Sequence, residues 1–373
     1  MSRFAHSAHP VRSGVAALTT ATAVLAACAV QWTPAAAATR APAGGSAPAA
    51  AATLSAGWTE PWGISFLPDG KRALVTERHS ATVWLQGRDG SKKKVGAVPN
   101  TVNGTASAGV GNGGLMGVAP SPTWNGTTDR DVFFVHTAAE GTRVVKMRFD
   151  GTSLSGYTVI LGGIRRGGDH NGGRIVFGPD GYLYVTTGDA RRGALAQDRN
   201  SLNGKILRIT RTGAAAPGNP FGNRVYSLGH RNPQGLAWDT RGRLWESEIG
   251  ADTWDELNLI RPGANYGWPA CEGGCSAAGM TNPKAVWKPS GGGVPAQLAV
   301  VDNAVYASTL RGERLWRLPI NADGRSVGKL TAYYSGAYGK LRALAKVPGA
   351  NELWLGTDRN GYRLDKILRV TVR

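Results

Sequence analysis

The chain has 373 residues, 42% apolar and 18% charged, with 53 glycines, 20 prolines and a formal net charge of +18. Against a norm of about 25% charged residues and about 7% glycine, this composition excludes a coiled coil or helical bundle. Collagen is excluded because the glycines have no period of three, and general disorder because apolar residues are frequent and regularly placed.

From the N-terminus, Arg3 and Arg12 precede an uncharged stretch from Val15 to Val30 and then Ala35-Ala36-Ala37-Ala38, a pattern that reads as a bacterial export signal over residues 1–38. A transmembrane anchor competes, but about 16 apolar-to-neutral residues are short for a bilayer. Leu25-Ala26-Ala27-Cys28 has the form of a lipobox, which would lipidate Cys28; simple secretion is the other outcome. Both place the protein outside the cytoplasm, and any membrane contact then runs through Cys28. The Ala/Pro/Gly-rich residues 39–53 read as a flexible linker, and residues 54–373 as one folded domain. Arg3, Arg12 and Arg40 are the charges of residues 1–53, which leaves +15 for that domain. Cys271-Glu-Gly-Gly-Cys275 reads as a local disulfide in an oxidising compartment, with a metal-binding cysteine pair as the alternative.

Past residue 54, short β-rich runs bounded by Gly, Pro, Asp and Asn recur, with no sustained helical period. Trp62 to Thr76 and Gly173 to Thr187 both read strand, Pro-Asp-Gly turn, strand, and Gly235 to Glu246 is a third copy. Looser copies begin at Gly117, Leu298 and Ala343, which makes about six repeats, each roughly 50–60 residues long. Such a unit cannot bury two apolar faces alone, and radial stacking buries them. The expected fold is all-β, a six-bladed β-propeller, with a β-sandwich as the competing architecture. Lys92-Lys93-Lys94 reads as a solvated hairpin tip.

Four loops carry candidate chemistry. His170, in Gly-Gly-Asp-His-Asn-Gly-Gly, is either a general base or a loop-capping residue, and Asp189 either orients that imidazole or closes an Asx turn. Gly229-His-Arg231-Asn232-Pro-Gln-Gly is a dense donor run in which Arg231 offers a planar fork. Glu248 to Asn258 and Gly263 to Pro269 offer carboxylates and glycine-exposed carbonyls that suit either a calcium ion or solvent. There is no phosphate-binding Gly-x-x-x-x-Gly-Lys loop, no Gly-x-Ser-x-Gly elbow and no nucleophile-base set for a hydrolase. No aromatic-basic platform for nucleic acid is evident.

In order, Asp169-His-Asn-Gly-Gly-Arg-Ile-Val-Phe-Gly-Pro-Asp-Gly, Gly229-His-Arg-Asn-Pro-Gln-Gly-Leu and Asp255-Glu-Leu-Asn through Asn265-Tyr-Gly-Trp-Pro resemble the soluble, calcium- and pyrroloquinoline quinone (PQQ)-dependent glucose/aldose sugar dehydrogenases, over roughly residues 55–372. The resemblance implies a six-bladed propeller that oxidises an aldose to a lactone and passes electrons to an external acceptor. It makes His170 the base, Asp189 its supporting carboxylate and Arg231 the residue facing the quinone oxygen, with Asn232 a cofactor contact. It assigns the carbonyls of Gly250 and Ala251 to a calcium that grips the cofactor, and Glu256 with the carbonyl of Tyr266 to a second calcium. Asn112 stands where the family has Gln, Arg311 where it has Lys, and Lys340 in place of the first of two arginines, the second being Arg342. Ala251 replaces a proline. The alternative is a secreted propeller without catalysis that binds glycan or anionic cell-surface polymer.

Overall fold

Turn chemistry repeats through the chain and sets the first hairpin of several sheets. At Pro68-Asp-Gly70, Asp69 accepts from the Lys71 amide at 2.8 Å and Gly70 takes φ +63°. At Pro179-Asp-Gly181 the Tyr182 amide reaches Asp180 at 3.2 Å and Gly181 takes φ +78°. Gly242 closes the third copy with φ +71°, its amide donating a hydrogen bond to Asp239 O at 3.0 Å.

The computed structural model describes residues 47–103, 111–359 and 363–373. Strand β1 (Ala52–Trp58) is followed by β2 (Pro61–Phe66), β3 (Arg72–Glu77), β4 (Thr82–Gly87) and β5 (Lys92–Ala97), which form one sheet. The next sheets are β6 (Leu115–Pro120), β7 (Asp131–Ala138), β8 (Gly141–Phe149), β9 (Leu154–Ile164), then β10 (Ile175–Phe177), β11 (Leu183–Thr187), β12 (Lys205–Ile209), β13 (Val225–Leu228). They are followed by β14 (Pro233–Trp238), β15 (Leu244–Glu248), β16 (Asp255–Ile260), β17 (Ala285–Trp287), then β18 (Pro295–Val301), β19 (Ala304–Thr309), β20 (Leu315–Pro319), β21 (Thr331–Tyr333). The last sheet, β22 (Lys340–Lys346), β23 (Glu352–Asp358) and β24 (Asp365–Thr371), takes β1 as its outer strand, so the N-terminal strand closes the ring. All six sheets are antiparallel, the first five simple meanders, and the strands β2, β6, β10, β14, β18 and β22 touch in that order and back to β2. This is the six-bladed propeller expected from the repeats.

Each blade is apolar on both faces, and the core divides accordingly. Leu74 packs with Val118 and Phe134 of the second blade, while its neighbours Ala73 and Val75 pack with Ala343 and Trp354 of the sixth. Leu183 and Val185 face Phe133 and Val135, whereas Tyr184 between them faces Leu236 and Leu244. The alternation of a strand thus feeds two interfaces, which is why the sequence shows continuous apolar runs.

Glycine serves close approach where first strands meet. A Cβ on Gly117 would lie 2.6 Å from Gly173 O, whereas one on Gly162 would meet nothing within 4 Å. Gly117→Ala is therefore expected to cost about 1–3 kcal/mol by overpacking and Gly162→Ala almost nothing, as read from denaturant midpoints; equal midpoints would refute the account.

Two expectations are corrected. Residues 47–53 belong to the fold rather than to a linker: β1 begins at Ala52, the Ala49 amide donates to Thr371 O at 2.8 Å, and Tyr334 and Tyr338 hydroxyls donate to Ala49 O and Ala51 O. The lysine run is strand β5, not a tip: Lys92 donates to Ala56 O at 2.7 Å and sits 4.2 Å from the Trp58 ring centroid, pinning the closing strand. The expected export signal over residues 1–38, with Cys28, lies outside the described residues. Among the described residues no helix is long and apolar enough to cross a membrane.

Candidate active site

In an antiparallel blade the start of the first strand and the end of the second lie at one end. His170 precedes β10 and Asp189 follows β11; Arg231 and Asn232 precede β14, and Gly250 follows β15. Topology alone therefore gathers these loops at one mouth of the central channel. There Asn112, His170, Arg231, Asn232, Gly250, Ala251, Arg311 and Arg342 line a cavity of about 260 Å³, together with Trp62, Asp169, Gln234 and Asp255.

His170 sits at φ +56°, in the left-handed region, because the chain is folded back tightly: a Cβ on Gly188 would lie 1.9 Å from His170 O. Asn171 closes the loop by accepting from the Gly167 amide at 3.0 Å and donating to Gly167 O at 3.1 Å. His170 Nδ1 lies 2.8 Å from Asp189 Oδ1. Burial opposes ionisation of Asp189, but hydrogen bonds and charge from His170, the Trp268 indole and the Arg191 amide outweigh it and hold the carboxyl below its usual range. An ionised carboxylate only accepts, so Nδ1 carries the hydrogen and Nε2 keeps its lone pair for the cavity.

Two further blades carry a histidine-carboxylate pair at the equivalent place, Glu60 with His79 at 2.5 Å and His230 with Glu248 at 2.9 Å. What separates them is the other ring nitrogen. His79 Nδ1 is 3.1 Å from Asn103 Oδ1, and His230 Nε2 is 2.9 Å from Ser227 Oγ in a fully buried ring. His136 uses both nitrogens, on Thr101 and Tyr157, and burial pushes it down to about 4. Among the described histidines His170 alone has a ring nitrogen with no protein partner, and it opens on the cavity.

Three guanidinium groups line the same cavity as this base. Arg231 Nη1 donates to Ile249 O at 3.1 Å and Gly250 O at 2.5 Å, and its guanidinium lies 5.4 Å from the Trp268 ring centroid. Burial pulls the Arg231 pKa down, opposed by Asp189 and Glu248. Arg342 is buried but doubly paired, Nη2 to Asp358 Oδ2 at 2.8 Å and Nε to Glu60 Oε1 at 3.2 Å. Arg311 is exposed at the rim. Lys340 is half-buried at the start of β22 and does not line the cavity.

The sequence profile of the family described as Glucose / Sorbosone dehydrogenase matches residues 58–368. The chain belongs to the glucose/sorbosone dehydrogenase family. A solved PQQ-bound aldose sugar dehydrogenase from Streptomyces coelicolor is 40% identical with a TM-score of 0.82, covering 89% of this chain and 100% of that one. Aldose sugar dehydrogenase YliI of Escherichia coli K12 is 31% identical over 60% of this chain, and quinoprotein glucose dehydrogenase B of Acinetobacter calcoaceticus 31% over 57%. The match spans 63% and 51% of those two relatives' own lengths.

The donor set of this glucose/sorbosone dehydrogenase family member suits the groups that the resemblance implies. Three arginines facing one cavity suit a polyanionic cofactor. The loop after β15 turns the carbonyls of Ile249 and Gly250 onto one guanidinium, and carbonyl oxygens that gather positive charge also suit a hard cation. Asp255 fixes that loop by accepting from the Gly250 amide at 3.0 Å and the Val294 amide at 2.6 Å, and burial pushes it up to about 6. Beside it, a space of about 10 Å³ is lined by Arg231, Glu248, Gly250, Glu256, Tyr266 and Glu272. Across the β15-β16 ladder Glu248 pairs with Glu256 and Glu246 with Asn258, so three buried carboxylates crowd together. Glu246 Oε1 has no hydrogen-bond partner, and Glu246, Glu248 and His230 present ligand atoms within 4.8 Å of one another. Buried, crowded carboxylates with an orphaned oxygen fit a divalent cation. Cys271 and Cys275 form a disulfide; between them Glu272 accepts from the amides of Asp252, Thr253 and Trp254, and Gly273 donates to Glu256 at 2.7 Å.

Several site residues carried no role in the sequence. Arg174 stacks 4.1 Å from Trp62, donates to Gln234 O at 3.1 Å and is pushed down to about 9 by burial and Arg342. It stood in the motif around His170, and its side chain's direction was unreadable there. Asp169 neighbours His170 in the same loop and is held by Arg191.

Proposed function

We propose that this chain is a PQQ- and calcium-dependent aldose sugar dehydrogenase, exported from a bacterial cytoplasm, that oxidises an anomeric carbon to a lactone and hands its electrons to an external acceptor. The observation that carries the reading is His170: a carboxylate-backed imidazole with its second nitrogen free, in an arginine-lined cavity. Bound PQQ supplies the two-electron acceptor that takes hydride from the sugar. His170 Nε2 takes the proton of the anomeric hydroxyl, and Asp189 stabilises the imidazolium so formed. Arg231 holds positive charge where negative charge develops. Asn112, Asn232, Arg311 and Arg342 bind and orient the cofactor, with Lys340 adding charge from outside the cavity. The carbonyls of Gly250 and Ala251 suit one calcium, and Glu256 with the Tyr266 carbonyl a second.

Adding PQQ and calcium to purified apoprotein is expected to quench tryptophan fluorescence saturably and to start dye reduction with aldoses. Absence of cofactor binding would overturn the reading. Binding without turnover on any aldose would overturn the sugar assignment.

A further inference from the structure

Trp268 lies between β16 and β17, in the Asn-Tyr-Gly-Trp-Pro segment, and touches two residues of the proposed chemistry at once. Its indole Nε1 donates to Asp189 Oδ2 at 2.8 Å, and its ring lies 5.4 Å from the Arg231 guanidinium. The two oxygens of Asp189 are used unequally. Oδ1 accepts from His170 and from the Arg191 amide, the latter at 2.8 Å, whereas Oδ2 accepts only from the indole. Claiming both oxygens restricts rotation of a carboxylate about its Cβ–Cγ bond, and a buried oxygen left without a donor is costly.

The other histidine-carboxylate pairs obey the same logic with different donors. Glu248 turns one oxygen to His230 and the other to the amides of Arg231 and Asn232. Glu60 turns one to His79 and the other to Arg78 and Arg342. In the first, backbone amides lock the far oxygen; in the second, two guanidiniums hold it by charge. In the pair that opens on the cavity, one side chain holds it. Trp268 is itself anchored: its amide donates to Gly229 O at 3.0 Å and its carbonyl accepts from Gln197 Nε2 at 2.6 Å.

We infer that Trp268 is the positioning residue of this site, fixing the Asp189 carboxylate so that His170 Nδ1 is held and Nε2 faces the cavity, and seating the Arg231 guanidinium on its ring. The inference rests on His170 acting as the base. The test separates the two ideas. In the apoprotein, a downfield His170 Nδ1–H resonance is expected, and it shifts upfield or broadens in Trp268→Phe, which keeps a ring beside Arg231 but loses the donor. In the loaded enzyme kcat of Trp268→Phe is expected to fall about tenfold or more, the scale of one hydrogen bond to a charged group, with the aldose KM within about twofold. Trp268→Leu should lose cofactor affinity as well, because the cation-π contact goes. Should the Trp268 variants not fold, the Trp268 indole N–H resonance of the apoprotein must still move on Asp189→Asn. A wild-type Nδ1–H resonance and kcat in Trp268→Phe, or an indole resonance indifferent to Asp189→Asn, overturns the inference. Survival of activity in His170→Ala overturns the base assignment alone, because the apoprotein resonances do not depend on turnover.

Discussion

Replacing His170 by Ala is expected to lower kcat roughly 10²- to 10⁴-fold, the contribution of a positioned general base, with the propeller intact. The side chain projects into a cavity from a loop before β10, and none of the apolar clusters between blades includes it, so its removal leaves the core untouched. Asp189→Asn is expected to cost a comparable factor by a different route: the amide can donate, which frees the imidazole to place its hydrogen on Nε2, where it cannot accept a proton. Because both substitutions disable one device, the double variant should be no slower than the worse single. Steady-state kinetics with PQQ and calcium present, alongside circular dichroism, decide it. A folded His170→Ala enzyme with more than a tenth of the original kcat would remove His170 as the base.

The buried carboxylate cluster is expected to cost metal-free protein thermal stability as pH rises from about 5 to 8, read as the difference from Glu256→Gln at each pH, and calcium is expected to abolish most of that cost. Burial first, then the charge of Glu248, pushes Glu256 from its ordinary 4.5 up to about 8, and Glu246 is also pushed up. A carboxyl with a raised native pKa keeps its proton when the unfolded chain has lost it. Between the two values the native state therefore binds more protons, and stability falls with pH. A cation that satisfies the ionised carboxylates removes the slope, and its benefit is largest near pH 8. Glu256→Gln should make the falling slope shallower without calcium and blunt the response to it, Glu246 retaining a share. Identical melting temperatures with chelator and with calcium at pH 8 would exclude a cation at this cluster.

Much of the fold was legible because it is repetitive. Pro-Asp-Gly and its variants dictate a turn wherever they occur, and the copies near Trp62, Gly117, Gly173, Gly235, Leu298 and Ala343 mark the inner hairpins of the six blades. The ring closure was not legible. Residues 47–53 are even richer in alanine than residues 39–46 before them, and only pairing with the last strand, far away in the chain, makes β1 a strand. The lysines of β5 misled for a related reason: Lys92 is held by carbonyls and a tryptophan that local sequence does not reveal.

Loop identity, too, could be read: His170, Asp189, Arg231 and Asn232 stand in runs where glycine and proline restrict the backbone, and they meet because an antiparallel hairpin returns to the end from which it started. By itself the amino-acid order determined the number of blades, the end at which the site lies and the residue types gathered there, since turns and strand alternation are local. Only the tertiary structure decided which histidine is free, that Arg342 is neutralised by Glu60 and Asp358 while Lys340 stands aside, and that Trp268 claims the second oxygen of Asp189. Those outcomes depend on which donors and acceptors satisfy one another across blades, and hydrogen-bond partnership between residues far apart in the chain leaves no periodic trace in it.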